Sequence, residues 1–178
     1  LVRNPAASLV SRFFHMSRHA GQFEGSLPEF ARDEFYGVPG IVSYLASWEP
    51  HLDDPNVEVI TYEELRAGPL EPFGRIVRQL GIRADDAALG RALEAASVDR
   101  MRAVEKRSGV GQPNGYDRND PGALRVRKAD ATAWRDELDE DTLEYLIDSL
   151  EAVPAAAGML HRYGLMPETA RITPSADR

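Results

Sequence analysis

The chain has 178 residues, a formal net charge of −8 and no cysteine. That length suits one domain with a substantial core, and the missing cysteines exclude disulfides, zinc–thiolate sites and thiol catalysis. The acidic balance argues against a nonspecific nucleic-acid binder, which needs a basic footprint.

Leu1 and Val2 read as the end of a buried strand. Asn4 is a good N-cap, and Pro5 suits the first position of a helix because its missing N–H would be an orphan there anyway. Leu9, Val10, Phe13 and Phe14 form the apolar stripe of that helix, with Ser8, Ser11 and His15 on another face. Arg3 thus sits where a strand ends and a helix begins, a junction whose N–H groups and dipole favour an anion. The stretch GQFEGSLPEFARDEFYGVPG is irregular and aromatic-rich, a loop or short helical turns, and Ile41 to His51 has helical spacing. After the turn DDPN, VEVI reads as a second short strand that feeds directly into TYEEL, where Thr61 and Glu64 stand in a capping-box relation. Leu70, Phe73, Val77 and Leu80 mark the next helix, closed by Gly81. A further helix is capped by Asp85 or Asp86, and SVDRMRAVEKR forms a shorter one.

Residues 108–133 are rich in Gly, Asn and Pro and read as a long loop. Leu138, Leu143, Leu146, Ile147 and Leu150 define an amphipathic helix, followed by a last helical piece around Met159 to Tyr163. Two strands, each feeding a helix, imply an α/β fold with a parallel sheet flanked by helices. A domain over residues 1–165 and a polar tail over 166–178 are expected. The opening in a strand end, with Leu as the first residue, suggests the C-terminal part of a longer protein. No run is long enough for a membrane span and no signal peptide is visible, so a cytoplasmic protein without a membrane partner is expected.

Several motifs carry no chemistry on inspection. GVGQPNG has the wrong glycine spacing for a dinucleotide fingerprint and follows a helix, and no G-x-x-x-x-G-K-[ST] is present. His15 and His19 are spaced to share a metal, but with no third ligand in sight they read as surface histidines. Acidic clusters fall at turns and helix starts, where the helix dipole accounts for them. The exception is RVRKADATAW: Arg125, Arg127 and Lys128 concentrate positive charge late in a long loop of an acidic chain, as an anion site requires, although a solvated basic loop would look the same.

Taken in order, four segments resemble the sulfotransferases that use 3′-phosphoadenosine 5′-phosphosulfate (PAPS). LVRNPAASLVSRFFH is similar to the family's 3′-phosphate-binding segment, a strand end followed by Arg-Asn-Pro and a serine eight residues after the arginine, here Arg3 and Ser11. VEVITYEEL resembles the segment whose tyrosine lies near the adenine, here Tyr62, and AASVDRMR resembles a segment lining the same pocket. RKADATAW is similar to the Arg-Lys-Gly-x-x-Gly-Asp-Trp motif that grips the 3′-phosphate, here through Arg127 and Lys128, with Trp134 as the tryptophan. Both motif glycines are replaced, by Ala129 and Thr132, and the aspartate by Ala133. The adenine-lining threonine and phenylalanine correspond to Ala96 and Val98.

The resemblance implies a P-loop-NTPase-like sulfotransferase fold and transfer of a sulfuryl group from PAPS to a hydroxyl or amine of a small-molecule acceptor, releasing 3′-phosphoadenosine 5′-phosphate (PAP). No metal is implied. The family's 5′-phosphosulfate loop and catalytic base precede the Arg-Asn-Pro segment, so no catalytic residue is assigned in this chain. Aromatic residues between Phe23 and Trp48 suit an apolar acceptor pocket, though core packing explains them equally well. The alternatives are a nucleotide-binding or interaction module of the same fold without turnover and, less favoured, a phosphotransferase.

Overall fold

The computed structural model describes residues 1–108, 124 and 130–168. Among these the chain is helical. Helix α1 spans Pro5–Phe14 and runs into a π-helical turn at His15–His19; α2 spans Leu27–Ala31 and α3 Val38–Trp48, the latter extended by a 3₁₀ turn at Glu49–His51. Then come α4 (Tyr62–Ala67), α5 (Leu70–Gln79), α6 (Asp86–Ala95) and α7 (Val98–Ser108). After a 3₁₀ turn at Ala133–Asp136 the chain closes with α8 (Glu140–Glu151) and α9 (Pro154–Arg162).

Local chemistry accounts for most of these starts. Asn4 Oδ1 accepts from the N–H groups of Ala6 and Ala7 at 3.0 and 3.2 Å, and Pro5 occupies the first turn of α1. Thr61, Asp85 and Asp139 each accept a backbone N–H through the side chain, opening α4, α6 and α8. Ser26 and Glu29 form a complete capping box on α2. The core lies where α1, α3, α8 and α9 meet, with Leu9, Leu45, Leu146, Leu150 and Leu160 fully or almost fully buried. Phe30 of α2 is completely buried and meets Phe13 and Phe23 edge to face, at 5.6 and 5.0 Å between ring centres. Val77 of α5 and Leu89 of α6 are buried as well but stand outside this cluster, so the α4–α5–α6 segment packs as a satellite.

The expected parallel sheet flanked by helices is not what forms among the described residues, and no strand is present there. The two strand-like segments touch at one parallel bridge, Val2 to Thr61. Val2 N–H donates to Ile60 O at 2.9 Å and Tyr62 N–H to Val2 O at 2.8 Å. The pairing stops there for a physical reason: α1 starts at Pro5 and α4 at Tyr62, so both segments turn helical immediately after the contact, and no third segment among the described residues lies alongside to extend a ladder. VEVI, expected as a strand, forms none: the bridge to Val2 falls on the next residue, Thr61, because pairing is decided by partners distant in sequence.

A smaller difference concerns a side chain. His19 is buried, at 4% exposure, and stacks on His15 with ring centres 5.1 Å apart, so of this pair His15 alone is at the surface. At the C-terminal end, Leu165 and Pro167 are buried and Met166 packs against the core.

Candidate functional site

The Val2–Thr61 bridge brings the start of α1 beside the start of α4 and opens a cleft between α1, α3 and α4, with a volume of about 460 Å³. Its polar lining consists of Arg3, Ser8, Arg12, Tyr44 and Tyr62, set among apolar groups such as Ile41 and Leu45. No carboxylate stands among the described residues that line it, although the chain as a whole carries −8. Two guanidinium groups facing an apolar wall make a local positive field against the global charge.

Arg3 is half-buried and its guanidinium lies over the Tyr62 ring, 4.3 Å from the ring centre. This is the close end of the cation–π range, and it ties the guanidinium to the Tyr62 ring at the mouth of α4. Arg12, nearly two turns further along α1, stands 5.8 Å from the Tyr36 ring centre. Ser8 and Arg12 are four residues apart, so they share a helix face.

The amides at the start of α1 play a different part from the one the sequence suggested. Those of Ala6 and Ala7 go to Asn4 Oδ1, that of Ser8 goes to Asn4 O at 2.9 Å, and the Asn4 N–H donates to Glu63 Oε1 at 3.0 Å. The helix N-terminus is satisfied internally, so recognition of an anion here falls to side chains.

The chemistry is thus a half-buried pocket with planar cationic groups, a hydroxyl and aromatic rings, suited to an anion attached to a flat or apolar body. The family model of the sulfotransferase domain matches residues 1–155. The chain belongs to the sulfotransferase domain family. No curated protein and no solved structure matches it.

Within this sulfotransferase domain, the structure brings together Arg3 and Tyr62, which lie 59 positions apart in sequence. Ser11 is exposed on α1, while the hydroxyl lining the cleft is that of Ser8. Arg125, Arg127 and Lys128 lie outside the described residues; Trp134 is described and buried at 4% exposure. Sequence reasoning passed over Ser8 and Arg12 as site residues. The signal for them was their four-residue spacing on the helix that follows Arg3. No helix among the described residues is long and apolar enough to cross a membrane, and no group of three or more metal-ligating side chains occurs among them.

Proposed function

We propose that this sulfotransferase domain uses PAPS as donor and a small-molecule hydroxyl or amine as acceptor. The S–O bond to the donor's 5′-phosphate breaks, a bond from sulfur to the acceptor oxygen or nitrogen forms, the acceptor's proton passes to a base, and PAP leaves. The observation that carries this reading is the cleft in which Arg3 lies 4.3 Å over Tyr62 with Ser8 and Arg12 alongside. Its residue types fit the nucleotide: guanidinium forks suit a phosphate, an aromatic ring suits a purine, and the volume is of nucleotide size. On this reading Arg3, with Ser11, Arg127 and Lys128 as the family resemblance assigns them, holds the 3′-phosphate, and Tyr62 lies against the adenine.

Calorimetric titration with PAP and with AMP tests the reading. The chain is expected to prefer PAP, and Arg3→Ala and Lys128→Ala to remove most of that preference, a loss on the order of 1.5–3 kcal/mol for a charge-assisted hydrogen bond. Equal binding of the two nucleotides by a folded sample would defeat it.

A further inference from the structure

Arg3 is held by the same short segment on both of its sides. Before it, Val2 N–H donates to Ile60 O and Val2 O accepts from Tyr62 N–H, at 2.9 and 2.8 Å. After it, the Asn4 N–H donates to Glu63 Oε1 at 3.0 Å. With both neighbouring residues anchored to residues 60–63, little backbone freedom remains to Arg3, whose guanidinium is directed onto the ring of Tyr62.

We infer that Glu63 is a positioning residue: through the Asn4 N–H its carboxylate sets where the Arg3 guanidinium stands in the cleft, and thereby the preference for a nucleotide bearing a 3′-phosphate. The inference rests on the nucleotide reading above. Three features support it. Asn4's other polar groups are engaged elsewhere: Oδ1 caps α1, Nδ2 donates to Leu165 O at 3.3 Å, and the carbonyl accepts from Ser8. Its N–H is therefore the group that ties the start of α1 to α4. The carboxylate of Glu64, the neighbouring acid, accepts from the Thr61 hydroxyl and from Arg75, whereas Glu63 reaches 59 positions back along the sequence. Finally, Glu63 Oε2 is buried with no hydrogen-bond partner among the described residues. A first-turn glutamate serving only the helix dipole would face solvent with both oxygens.

Two substitutions in the full chain separate reach from charge. Glu63→Asp keeps the negative charge in the first turn of α4 but ends one methylene short of the Asn4 N–H. Glu63→Gln loses the charge but keeps an acceptor oxygen in place. Each is titrated with PAP and with AMP beside wild type and Arg3→Ala, and the thermal unfolding midpoint of each is recorded. Glu63→Asp is expected to lower the preference for PAP on the order of tenfold, because a displaced guanidinium loses its alignment, and Glu63→Gln to stay within about twofold. The inference is overturned if Glu63→Asp keeps the wild-type preference, whatever its midpoint, while Arg3→Ala loses it. It is overturned as well if Glu63→Gln falls as far as Glu63→Asp. A wild-type preference that survives Arg3→Ala would instead bring down the nucleotide reading, and this inference with it.

Discussion

Arg3 gains its place from residues that are remote in sequence. Its own chemistry is generic: an arginine after two apolar residues suits a surface loop as well as a phosphate site. The Tyr62 ring beneath it and the anchored amides on either side make the difference, because they hold the guanidinium in one orientation before any ligand arrives. At the opposite wall of the cleft Gly40 has a comparable constraint of space. A Cβ there would run into the backbone carbonyl of Phe35, which has no freedom to withdraw as a flexible side chain would. Gly40→Ala is therefore expected to destabilise the fold by about 1–3 kcal/mol, the usual cost of overpacking. Urea unfolding of the variant checks this, and an unchanged midpoint would show that the turn before α3 yields more easily than its geometry implies.

Among the elements, α5 combines a buried apolar face with a charge cluster on its outer side. The guanidinium of Arg75 meets Glu58 Oε1 and Glu71 Oε2 at 2.7 Å each and also bonds Glu64. These carboxylates, Glu58 foremost, raise its pKa beyond that of an ordinary arginine. The cluster links α5 to the start of α4 and to the extended segment before it, the pieces that present Tyr62. Arg75 is nearly one-third exposed and Glu71 more so, so solvent screens the cluster and each pair contributes little. Arg75→Met is expected to lower stability by about 1 kcal/mol at low salt and by less at high salt, where the charges are screened in wild type too. Denaturant melts at two ionic strengths would decide the matter; a loss independent of salt would assign the effect to the guanidinium's hydrogen bonds and not to its charge.

On the scale of the whole molecule, acid sensitivity follows from exposed carboxylates at turns and helix starts. The Ser26 amide and hydroxyl hold the Glu29 carboxyl below its ordinary range, the Arg162 guanidinium does so for Asp53, and the amide and side chain of Asn56 do so for Asp54. A carboxylate whose pKa is lowered by folding contributes stability above its unfolded pKa and loses it as pH falls through the folded value. The thermal midpoint is therefore expected to be insensitive to these groups at neutral pH and to drop below about pH 4. Asp53→Asn should flatten that drop, which midpoints of the two proteins measured across the acid range would reveal. A variant with the wild-type slope would remove Asp53 from the account.

Local signals were the legible part of this protein. Asn4, Thr61, Asp85 and Asp139 open helices because each side chain caps amides within three residues of itself, and Gly81, at a φ of 71°, ends α5 for an equally local reason. The ordered segments around Arg3 and Tyr62 carried enough pattern to reveal the sulfotransferase family as well. Tertiary structure alone decided what met what. VEVI formed no strand, and the bridge to Val2 fell on Thr61 just after it, since a ladder needs partners that local pattern does not encode. His19 went inside, and the cleft's hydroxyl proved to be that of Ser8, because burial depends on which face of a helix its neighbours cover. TYEEL marked Glu64 as the capping partner of Thr61 but said nothing of Glu63; only the arrival of Asn4, 59 positions earlier in the chain, gave that carboxylate its hold on α1.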